Sequence, residues 1–339
     1  MLKPYIARLL DRENLSAPDC EEAMSLIMAG EATNAQIAGF LVALRMKGET
    51  VEEITGCARA MREAATHVNV DQPDAIDTCG TGGDTKGTFN VSTAAAIVTA
   101  AAGVPVAKHG NRSVSSSSGS ADVLQELGVN IEATRGVVEN CIREADIGFL
   151  FAPLLHKAMK YAIGPRRELG ARTVFNILGP LTNPAGVRRQ LVGIYSQDLV
   201  EKIAGVLRNL GALKAMVVHS EDGLDELSVC APTTVAELDE GQIEVRRIDP
   251  EQLGLERGRI EDLLVHTPEE SASVIHGILA GRQGPQRDMV VLNAGAAIYV
   301  GGKTESLTEG VDLAADVIDA GRARKTLQHL IELSNQNAQ

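Results

Sequence analysis

The chain has 339 residues, of which 45 are acidic and 32 basic, so its formal net charge is −13. It contains no Trp, 5 Phe and 4 Tyr but 33 Gly, which fits a globular protein with an aliphatic core and argues against a nucleic-acid groove lined with cations and rings. No apolar run reaches membrane-spanning length, the start does not resemble a signal peptide, and the 5 Cys form no C-x-x-C pair, so we expect a cytoplasmic protein with reduced thiols.

The first 66 residues read as four short helices. Three pairs have the S/T-x-x-D/E/Q spacing of a capping box, in which two side chains satisfy free amides at a helix start; they are Ser16 with Asp19, Thr33 with Gln36, and Thr50 with Glu53. Four small helices enclose only a thin core. We therefore expect this unit to pack on another domain or on a second subunit.

From about residue 71 onward, short apolar strands alternate with helices. Strands are predicted over 75–79, 104–107, 147–151, 190–195 and 215–219, a hairpin over 235–248, and one long final helix over about 311–333. This alternation predicts an α/β fold with a mostly parallel central sheet. The expected domains are a helical domain, residues 1–70, and an α/β domain, residues 71–339.

The first chemical motif runs from Asp77 to Asp84 and reads D-T-C-G-T-G-G-D. It follows a strand and precedes a helix that opens with Asn90-Val-Ser-Thr93. Glycines allow backbone amides to approach a phosphate, and a helix start favours anions. The simpler alternative is a tight strand-to-helix turn with Asn90 as a plain N-cap. The motif lacks the spacing of P-loop and dinucleotide-binding signatures.

The second motif, Lys108 to Ser120, reads K-H-G-N-R-S-V-S-S-S-S-G-S and is predicted to form a loop after the strand over 104–107. Its cations, amide and hydroxyls suit an anion. The alternative is a flexible Ser-rich linker. A third feature is the acidic run containing Asp225 and Glu226, which by itself is typical of a solvated turn but could also hold a metal.

Together these motifs resemble the anthranilate phosphoribosyltransferase family, which joins anthranilate to phosphoribosyl pyrophosphate in tryptophan biosynthesis. The resemblance is carried by G-T-G-G-D…N-V-S-T, by K-H-G-N-R-x-V-S-S, by Arg166 to Pro184 (R-R-E-L-G-A-R-T-V-F-N-I-L-G-P-L-T-N-P), and by Gly223 to Glu226 (G-L-D-E). It spans nearly the whole chain. It implies a Mg²⁺-dependent transferase with two ions per subunit and a homodimer formed through the helical domain. It also implies that a segment near 165–185 completes the helical domain and that the α/β domain, residues 71–339, is the phosphoribosyl-binding domain.

The resemblance also implies site residues. The set for phosphoribosyl pyrophosphate is Gly80, Gly83, Asp84, Thr88, Asn90, Val91, Ser92, Thr93, Lys108, His109, Gly110, Asn111, Arg112, Ser113, Val114, Ser115, Ser116 and Ser120. The set for anthranilate is Gly80, Asn111 and Arg166, with His109, Pro153, His156 and Gly179 as further walls. The metal set is Ser92, Asp225 and Glu226. No residue is assigned covalent or acid–base catalysis, because the amino group of anthranilate is already neutral and nucleophilic at pH 7.

Two points stay open at the level of sequence. The family commonly reads H-P-A-x-K and P-V-R where this chain has His156-Lys-Ala-Met-Lys160 and Gly164-Pro-Arg166, so Arg167 rather than Arg166 could face anthranilate. The alternative functions are a pyrimidine-nucleoside phosphorylase and a non-catalytic nucleic-acid-binding relative of the same fold. The phosphate loop and the segment from Arg166 to Pro184 favour the transferase over the first, and the net charge of −13 disfavours the second.

Overall fold

The computed structural model describes residues 1–83, 86–112 and 118–336. The chain opens with four helices, as predicted: α1 (Lys3–Leu10), α2 (Ala17–Met28), α3 (Asn34–Lys47) and α4 (Val51–Glu63). The capping boxes at Ser16 and Thr50 are confirmed. At Thr33 only half of the predicted box is present: its hydroxyl accepts from the Gln36 amide, but no return bond from the Gln36 side chain is made.

A buried ion pair joins the loops of this helical unit. The Nζ of Lys47 lies 2.8 Å from Oε2 of Glu53, and the two side chains are 5% and 0% exposed. The same carboxylate accepts from the backbone amides of Leu15 and Thr50 at 2.9 and 2.8 Å. Lys47 also donates to the side chain of Asn14 and to the carbonyl of Gly48. Both charges are therefore surrounded by partners, as a buried pair requires.

One sheet forms the centre of the molecule. Its strands are β1 (Ile76–Gly80), β2 (Val106–Gly110), β3 (Ile147–Phe151), β4 (Arg189–Gly193), β5 (Lys214–Ser220), β6 (Thr233–Asp239) and β7 (Gln242–Ile248). Their order is β3-β2-β1-β4-β5-β6-β7. The first five strands are parallel, and β6 and β7 add an antiparallel hairpin, which confirms the predicted fold class and the hairpin.

Both faces of the sheet are covered, so its central strands are apolar on both sides. In β5, Met216 and Val218 face one core while Ala215 and Val217 face the other. The first core lies under the C-terminal helices and under α5 (Val91–Ala101). The second lies under α11 (Val200–Asn209) and the helical unit, and it also takes in Phe175 from the segment before β4. The helical unit therefore gains the apolar partner that its thin core requires.

The remaining helices are α5 (Val91–Ala101), α6 (Ser120–Glu126), α7 (Arg135–Ala145), α8 (Ala152–Leu155), α9 (Lys160–Leu169), α10 (Phe175–Leu178), α11 (Val200–Asn209), α12 (Pro268–Leu279), α13 (Pro285–Val300), α14 (Leu307–Asp319) and α15 (Arg322–Ser334). The predicted single final helix is wrong, because the chain turns at Gly321, whose φ is 67°, and so divides it into α14 and α15. Within the described residues, no helix combines the length and the apolar character needed to cross a bilayer.

The strand order indicates where a ligand binds. From β1 the chain moves outward to β2 and β3, then returns to β4 on the other side of β1 and continues to β5. The crevice outside the carboxyl ends of β1 and β4 is therefore the switch point at which open α/β sheets bind ligands. The predicted motifs follow β1 and β5, and one of them occupies the end of β2.

Candidate functional site

The loop after β1, residues 80–89, is called the glycine loop here. Gly82 and Gly83 have φ of 61° and 79°, a backbone conformation that side chains other than glycine rarely adopt. The amide of Gly82 donates to Oδ2 of Asp225 at 2.8 Å, although the two residues are far apart in sequence. Asp84 of the predicted site lies outside the described residues. The loop thus presents a backbone amide toward an acidic side chain at the switch point.

The acidic loop, residues 221–232 between β5 and β6, rests directly on the ends of β1 and β4. A Cβ atom at Gly80 would lie 2.8 Å from Oδ2 of Asp225. A Cβ atom at Gly193, the last residue of β4, would lie 1.6 Å from the carbonyl oxygen of Asp225. At Gly80 the Asp225 side chain would have to move, and at Gly193 the backbone itself would have to move. The lack of a Cβ at these two positions therefore allows the acidic loop to approach the glycine loop as closely as it does.

The start of α5 supplies the next part of the site. Oδ1 of Asn90 accepts from the amide of Thr93 at 3.2 Å and from its hydroxyl, so Asn90 is the N-cap that the simpler alternative for this motif required. The amide of Asn90 donates to Oγ of Ser271 on α12 at 2.9 Å. Val91 is buried, and Thr88 forms an isolated bridge with Leu264. The helix start, and Ser92 with it, is thereby fixed between the sheet and the C-terminal helices.

Lys108 is not in a loop, as the sequence analysis expected, but in β2. The strand starts later than predicted, at Val106, and runs through Lys108 and His109 to Gly110 because their backbones pair with β3. Nζ of Lys108 donates to the carbonyl of Thr78 at 2.6 Å and to Oγ of Ser92 at 3.2 Å. The side chain is 2% exposed, and burial lowers its pKa. A buried cation therefore lies beside the predicted metal ligand.

A second buried charge, Asp77, lies beneath the site in β1. Its Oδ1 accepts from the amide of His109 at 3.0 Å, and its Oδ2 accepts from Nδ2 of Asn183 at 2.8 Å. Burial raises the pKa of Asp77, while the nearby Lys108 acts in the opposite direction. Asn183 also donates to the carbonyl of Ala107. The sequence analysis gave neither Asp77 nor Asn183 a role, since their contacts join residues 106 positions apart.

Ser92 and Glu226 line one small cavity of about 10 Å³, about the room that a single water needs. Thr78, Cys79 and Gly193 contribute to its walls. Within the described ranges, no group of three or more His, Cys, Asp or Glu side chains is assembled as a metal cage. The predicted metal set instead combines one hydroxyl with two carboxylates. All its donors are oxygen, which suits Mg²⁺, an ion that keeps several waters and needs few protein ligands.

The segment after β2 is only partly described, and Ser113, Val114, Ser115 and Ser116 of the predicted site lie outside the described residues. The carbonyl of Asn111 accepts from Oγ of Ser120 at 3.3 Å. Arg112 donates to Asp122 at 2.8 Å and to Gln125 at 2.9 Å, so its guanidinium is held against α6. The hydrogen bond from Ser120 to the Asn111 carbonyl therefore brings together predicted residues from either side of this gap.

Arg166, predicted to meet anthranilate, is half-buried near the end of α9. Its guanidinium carbon lies 5.0 Å from the ring centre of Phe175, and burial lowers its pKa. Its neighbour Arg167 is exposed. Of the two arginines that the sequence left open, Arg166 is the one held against the protein.

Two buried histidines, His109 and His156, face each other with ring centres 5.1 Å apart. Burial lowers the pKa of His109 to about 3 and that of His156 to about 4. Both rings are therefore neutral at physiological pH. Each Nε2 is buried without a hydrogen-bond partner in the described part of the chain.

Arg172 joins the glycine loop to the segment before β4, a contact that sequence reasoning missed. Its guanidinium donates to the carbonyl of Gly83 at 2.6 Å and lies 4.2 Å from the ring centre of Tyr195. The sequence offered one signal that Arg172 belongs to the site, namely its position in the motif that begins at Arg166. Tyr195 follows β4, so this contact crosses the switch point.

Comparison with known proteins gives concordant results. Residues 72–324 match the a/b domain of a glycosyl transferase family, and residues 3–65 match the helical bundle domain of a glycosyl transferase family. An anthranilate phosphoribosyltransferase from Petrotoga mobilis is 53% identical over 335 residues, covering 99% of this chain and 97% of the relative.

Solved structures extend the comparison. Anthranilate phosphoribosyltransferase from Thermus thermophilus is 44% identical, with a TM-score of 0.93 over 97% of this chain and 99% of that one. The Saccharomyces cerevisiae enzyme in complex with phosphoribosyl pyrophosphate and Mg is 28% identical, with a TM-score of 0.90 over 98% of each chain. The same yeast enzyme has also been solved with 4-fluoroanthranilate, at a TM-score of 0.88, 28% identity and 98% coverage of each chain. The similarity thus extends over both domains and the edge of the sheet where the motifs meet, and the chain belongs to the anthranilate phosphoribosyltransferase family.

Proposed function

We propose that this chain transfers the phosphoribosyl group of phosphoribosyl pyrophosphate to the amino group of anthranilate at the carboxyl edge of its sheet. The products are N-(5-phosphoribosyl)anthranilate and pyrophosphate, a step of L-tryptophan biosynthesis. The observation that carries the proposal is the convergence of Ser92, Lys108 and the acidic loop, from three separate segments, at one switch point. Yeast complexes with phosphoribosyl pyrophosphate and with 4-fluoroanthranilate support both substrates.

The phosphoribosyl site is proposed to consist of the glycine loop, the start of α5 and the segment from Lys108 to Ser120. Amides at the glycine loop and at the helix start favour phosphate oxygens. Lys108 adds a positive charge: among the described residues its Nζ donates to a carbonyl and a hydroxyl and forms no direct ion pair, while the carboxylates of Asp77 and Glu226 act on it from a greater distance. Positioning and electrostatic stabilisation of this kind account for most catalysis in phosphoryl and related transfers.

Ser92, Asp225 and Glu226 are proposed to hold Mg²⁺, with two ions per subunit. Their oxygens match the preference of this ion, and a member of the family has been solved with Mg. When bound, the ions neutralise the pyrophosphate and make it a better leaving group. The contribution of the chain is to keep two carboxylates and one hydroxyl at the edge of the sheet.

Arg166, Asn111 and Gly80 are proposed to receive anthranilate. A guanidinium can bind the carboxylate of the substrate through two parallel hydrogen bonds, and the Phe175 ring holds Arg166 in place from one side. The amino nitrogen then forms a bond to C1 of the ribose as the bond from C1 to the pyrophosphate oxygen breaks. The nitrogen afterwards releases its proton to the surroundings. Because this nitrogen is neutral before the reaction, no base from the chain is needed.

We further propose a cytoplasmic homodimer formed through the helical domain, residues 1–70, completed by 165–185 and joined to the α/β domain, residues 71–339. Leu10 and Met46 are each 70% exposed and Val42 is 42% exposed. They lie on α1 and α3, which pack together. Exposed aliphatic side chains on neighbouring helices favour a protein partner. The test is light scattering of Met46→Glu, which we expect to shift the protein toward monomer.

The proposed activity is tested by following anthranilate fluorescence in the presence of phosphoribosyl pyrophosphate and Mg²⁺. We expect anthranilate fluorescence to fall when both compounds are added and to stay constant when one of them is left out. Turnover of thymidine and phosphate with no use of anthranilate would replace this proposal with a phosphorylase. Arg166→Ala should raise the KM for anthranilate far more than that for phosphoribosyl pyrophosphate. Arg167→Ala, on the same helix but exposed, is the matched control and should change neither.

A further inference from the structure

Asn293 is a buried amide in the middle of α13, and it binds the backbone of a single distant residue. Its Oδ1 accepts from the amide of Leu227 at 3.1 Å, and its Nδ2 donates to the carbonyl of Leu227 at 2.8 Å. Nδ2 also donates to the carbonyl of Met289, one helical turn earlier, at 2.9 Å. The side chain is 1% exposed. Both polar groups of the Leu227 backbone are thus held by one side chain.

Leu227 directly follows Glu226, so the amide of Asn293 acts on the acidic loop next to the proposed metal ligands. Asn293 also lines the small cavity that Ser92 and Glu226 line. The residues around Leu227 lie outside every helix and strand, and a buried loop backbone needs hydrogen-bond partners from elsewhere. Asn293 provides them from a helix packed against the sheet.

The acidic loop is therefore held from two sides. On one side, Asp225 accepts from the amide of Gly82 and its backbone rests on Gly193. On the other side, Leu227 is bound to Asn293 and its own side chain is fully buried. Of the two proposed carboxylate ligands, Asp225 is itself the first anchor, and Glu226 lies between it and Leu227. Their direction is set by how the backbone on each side is held.

The location of Asn293 in the helix argues for a role beyond filling the core. Its neighbours Leu292 and Ala294 are apolar and at most 1% exposed. A buried amide is costly unless its hydrogen bonds are made, and here each of them goes to a backbone group. The other buried polar side chain of α13, Arg287, binds Asp319 and is not among the residues that line the Ser92–Glu226 cavity. It offers a matched comparison within one helix.

We propose that Asn293 is a positioning residue for the reaction: by fixing Leu227, it orients Asp225 and Glu226 and so sets the affinity for phosphoribosyl pyrophosphate with Mg²⁺. This inference rests on the proposed function of that site. Residues that orient metal ligands from behind typically change metal affinity by 10–100-fold when they are removed. Asn293 does this without lying among the proposed ligands.

The experiment compares Asn293→Leu, which branches at Cγ as the amide does but makes no hydrogen bond, with Arg287→Met on the same helix. Binding of phosphoribosyl pyrophosphate at several Mg²⁺ concentrations is measured by calorimetry. Amide hydrogen exchange at Leu227 is measured without any ligand. We expect Asn293→Leu to bind about 10–100-fold more weakly, to exchange faster at Leu227, and to change the KM for anthranilate less than about threefold. Arg287→Met should lower Tm and leave affinity and exchange at Leu227 unchanged.

Asn293→Asp is the second variant, used also if the leucine variant does not fold. It keeps the acceptor for the amide of Leu227 but places an oxygen against the carbonyls of Leu227 and Met289, so we expect a loss of affinity at least as large as in Asn293→Leu. Wild-type affinity in the folded variants, with a Tm lowered as in Arg287→Met, would overturn the inference and leave Asn293 a core residue. A wild-type protein that binds no phosphoribosyl pyrophosphate in the presence of Mg²⁺ would instead overturn the proposed function.

Discussion

Two buried lysines serve different ends in this molecule. Lys47, in the helical unit, meets Glu53 at 2.8 Å, and backbone amides satisfy the same carboxylate. Lys108, at the carboxyl edge of the sheet, donates instead to a carbonyl and to a hydroxyl. The nearby carboxylate of Asp77 accepts hydrogen bonds from the backbone amide of His109 and from the side chain of Asn183. One lysine is neutralised within the fold, and the other keeps its charge uncompensated by a direct ion pair in the described residues.

This difference shows how the same residue type can be structural in one place and available to a ligand in another. A buried charge with a charged partner adds little that a ligand could use. A buried charge whose direct hydrogen-bond partners are neutral stays attractive to an anion, at a cost in stability. The four predictions below test this contrast, beginning with the largest free-energy change.

Removing the carboxylate from the pair in the helical unit should strongly destabilise the protein. In Glu53→Gln, Lys47 is left buried with its charge and without its ionic partner. Breaking a buried pair in this way costs about 3–5 kcal/mol. Urea unfolding at pH 7.5 measures the change in the free energy of unfolding.

The matched control is Glu52→Gln, because Glu52 is exposed on the same turn of α4 and should change stability by less than about 0.5 kcal/mol. At a temperature where Glu53→Gln is folded, its kcat/KM should lie within about threefold of wild type. A loss of activity without a loss of stability would contradict the structural role of this pair.

Removing the charge of Lys108 should lower the activity much more than the stability, which is the reverse of the result expected for Glu53→Gln. Lys108→Met deletes an electrostatic contribution at the proposed phosphoribosyl site, and removing one such group typically lowers turnover by about 10²–10³-fold. The free energy of unfolding should fall less than in Lys47→Met, because Asp77 loses a charged neighbour but keeps its hydrogen bonds to the His109 amide and to Asn183. Steady-state kinetics with both substrates and urea unfolding measure the two quantities.

Lys47→Met provides the comparison within the chain, since it removes a lysine of similar burial away from the sheet edge. It leaves Glu53 charged and unpaired, so it should unfold more easily and retain kcat/KM when folded. Equal activity losses in the two lysine variants would refute the contrast between the two regions.

The buried imidazoles should make the ligand edge sensitive to acid. Burial lowers the pKa of His156 to about 4, whereas the unfolded chain titrates near 6.5. The unfolded state therefore binds the proton first as pH falls, and stability that is present above pH 6.5 is lost below it. Between pH 8 and pH 5.5 the loss is about 1.4 kcal/mol for one such ring.

His156→Gln removes this titrating group while keeping a polar side chain. Urea unfolding at pH 8 and at pH 5.5 should show a smaller difference for the variant than for wild type, by about 1.4 kcal/mol. The exposed His329 provides a control, because His329→Gln should leave the difference unchanged. An unaltered pH dependence in His156→Gln would mean that this ring is protonated in the folded protein at pH 5.5.

The smallest effect is expected at Arg172, the exposed cation that contacts the glycine loop. Arg172→Ala removes the bond to the Gly83 carbonyl and the contact with Tyr195. Because Arg172 is exposed, the loss should be about 1 kcal/mol, or roughly a fivefold rise in the KM for phosphoribosyl pyrophosphate. Tyr195→Leu should reproduce part of it and Tyr195→Phe none, since phenylalanine keeps the ring. An unchanged KM in Arg172→Ala would show that this contact does not order the loop.

Local signals explain most of what could be predicted from the sequence. Three of the four N-terminal helices, α2, α3 and α4, carry their caps within three residues, and the β6–β7 hairpin has its turn residues side by side. Errors arose where packing overrides local chemistry. Lys108 and His109 read as a polar loop, but partners across the sheet hold them in β2. Helix α13 is buried almost all round, so it lacks the one-sided apolar pattern that identifies surface helices.

The site residues also fall into two groups, those that local sequence signals could predict and those that they could not. Motif residues after β1 and β5 could be found because glycine, acidic and hydroxyl residues cluster within a few positions. Asn183, Asn293 and Arg172 could not be given roles, because each acts on a backbone or side-chain group at least 66 positions away. No periodicity or spacing in a single sequence reports such contacts. They follow only when the sheet order is known.

The contact between Gly193 and Asp225 also restricts how this chain can vary. A substitution at residue 193 would force its Cβ against a carbonyl oxygen 1.6 Å away, so the acidic loop would have to move with it. In a library of all single substitutions, position 193 should therefore accept only silent changes of its glycine codon. Laboratory evolution that seeks new metal or substrate preferences at this edge would need to change residue 193 and the acidic loop in one step, a double change that stepwise mutation rarely reaches.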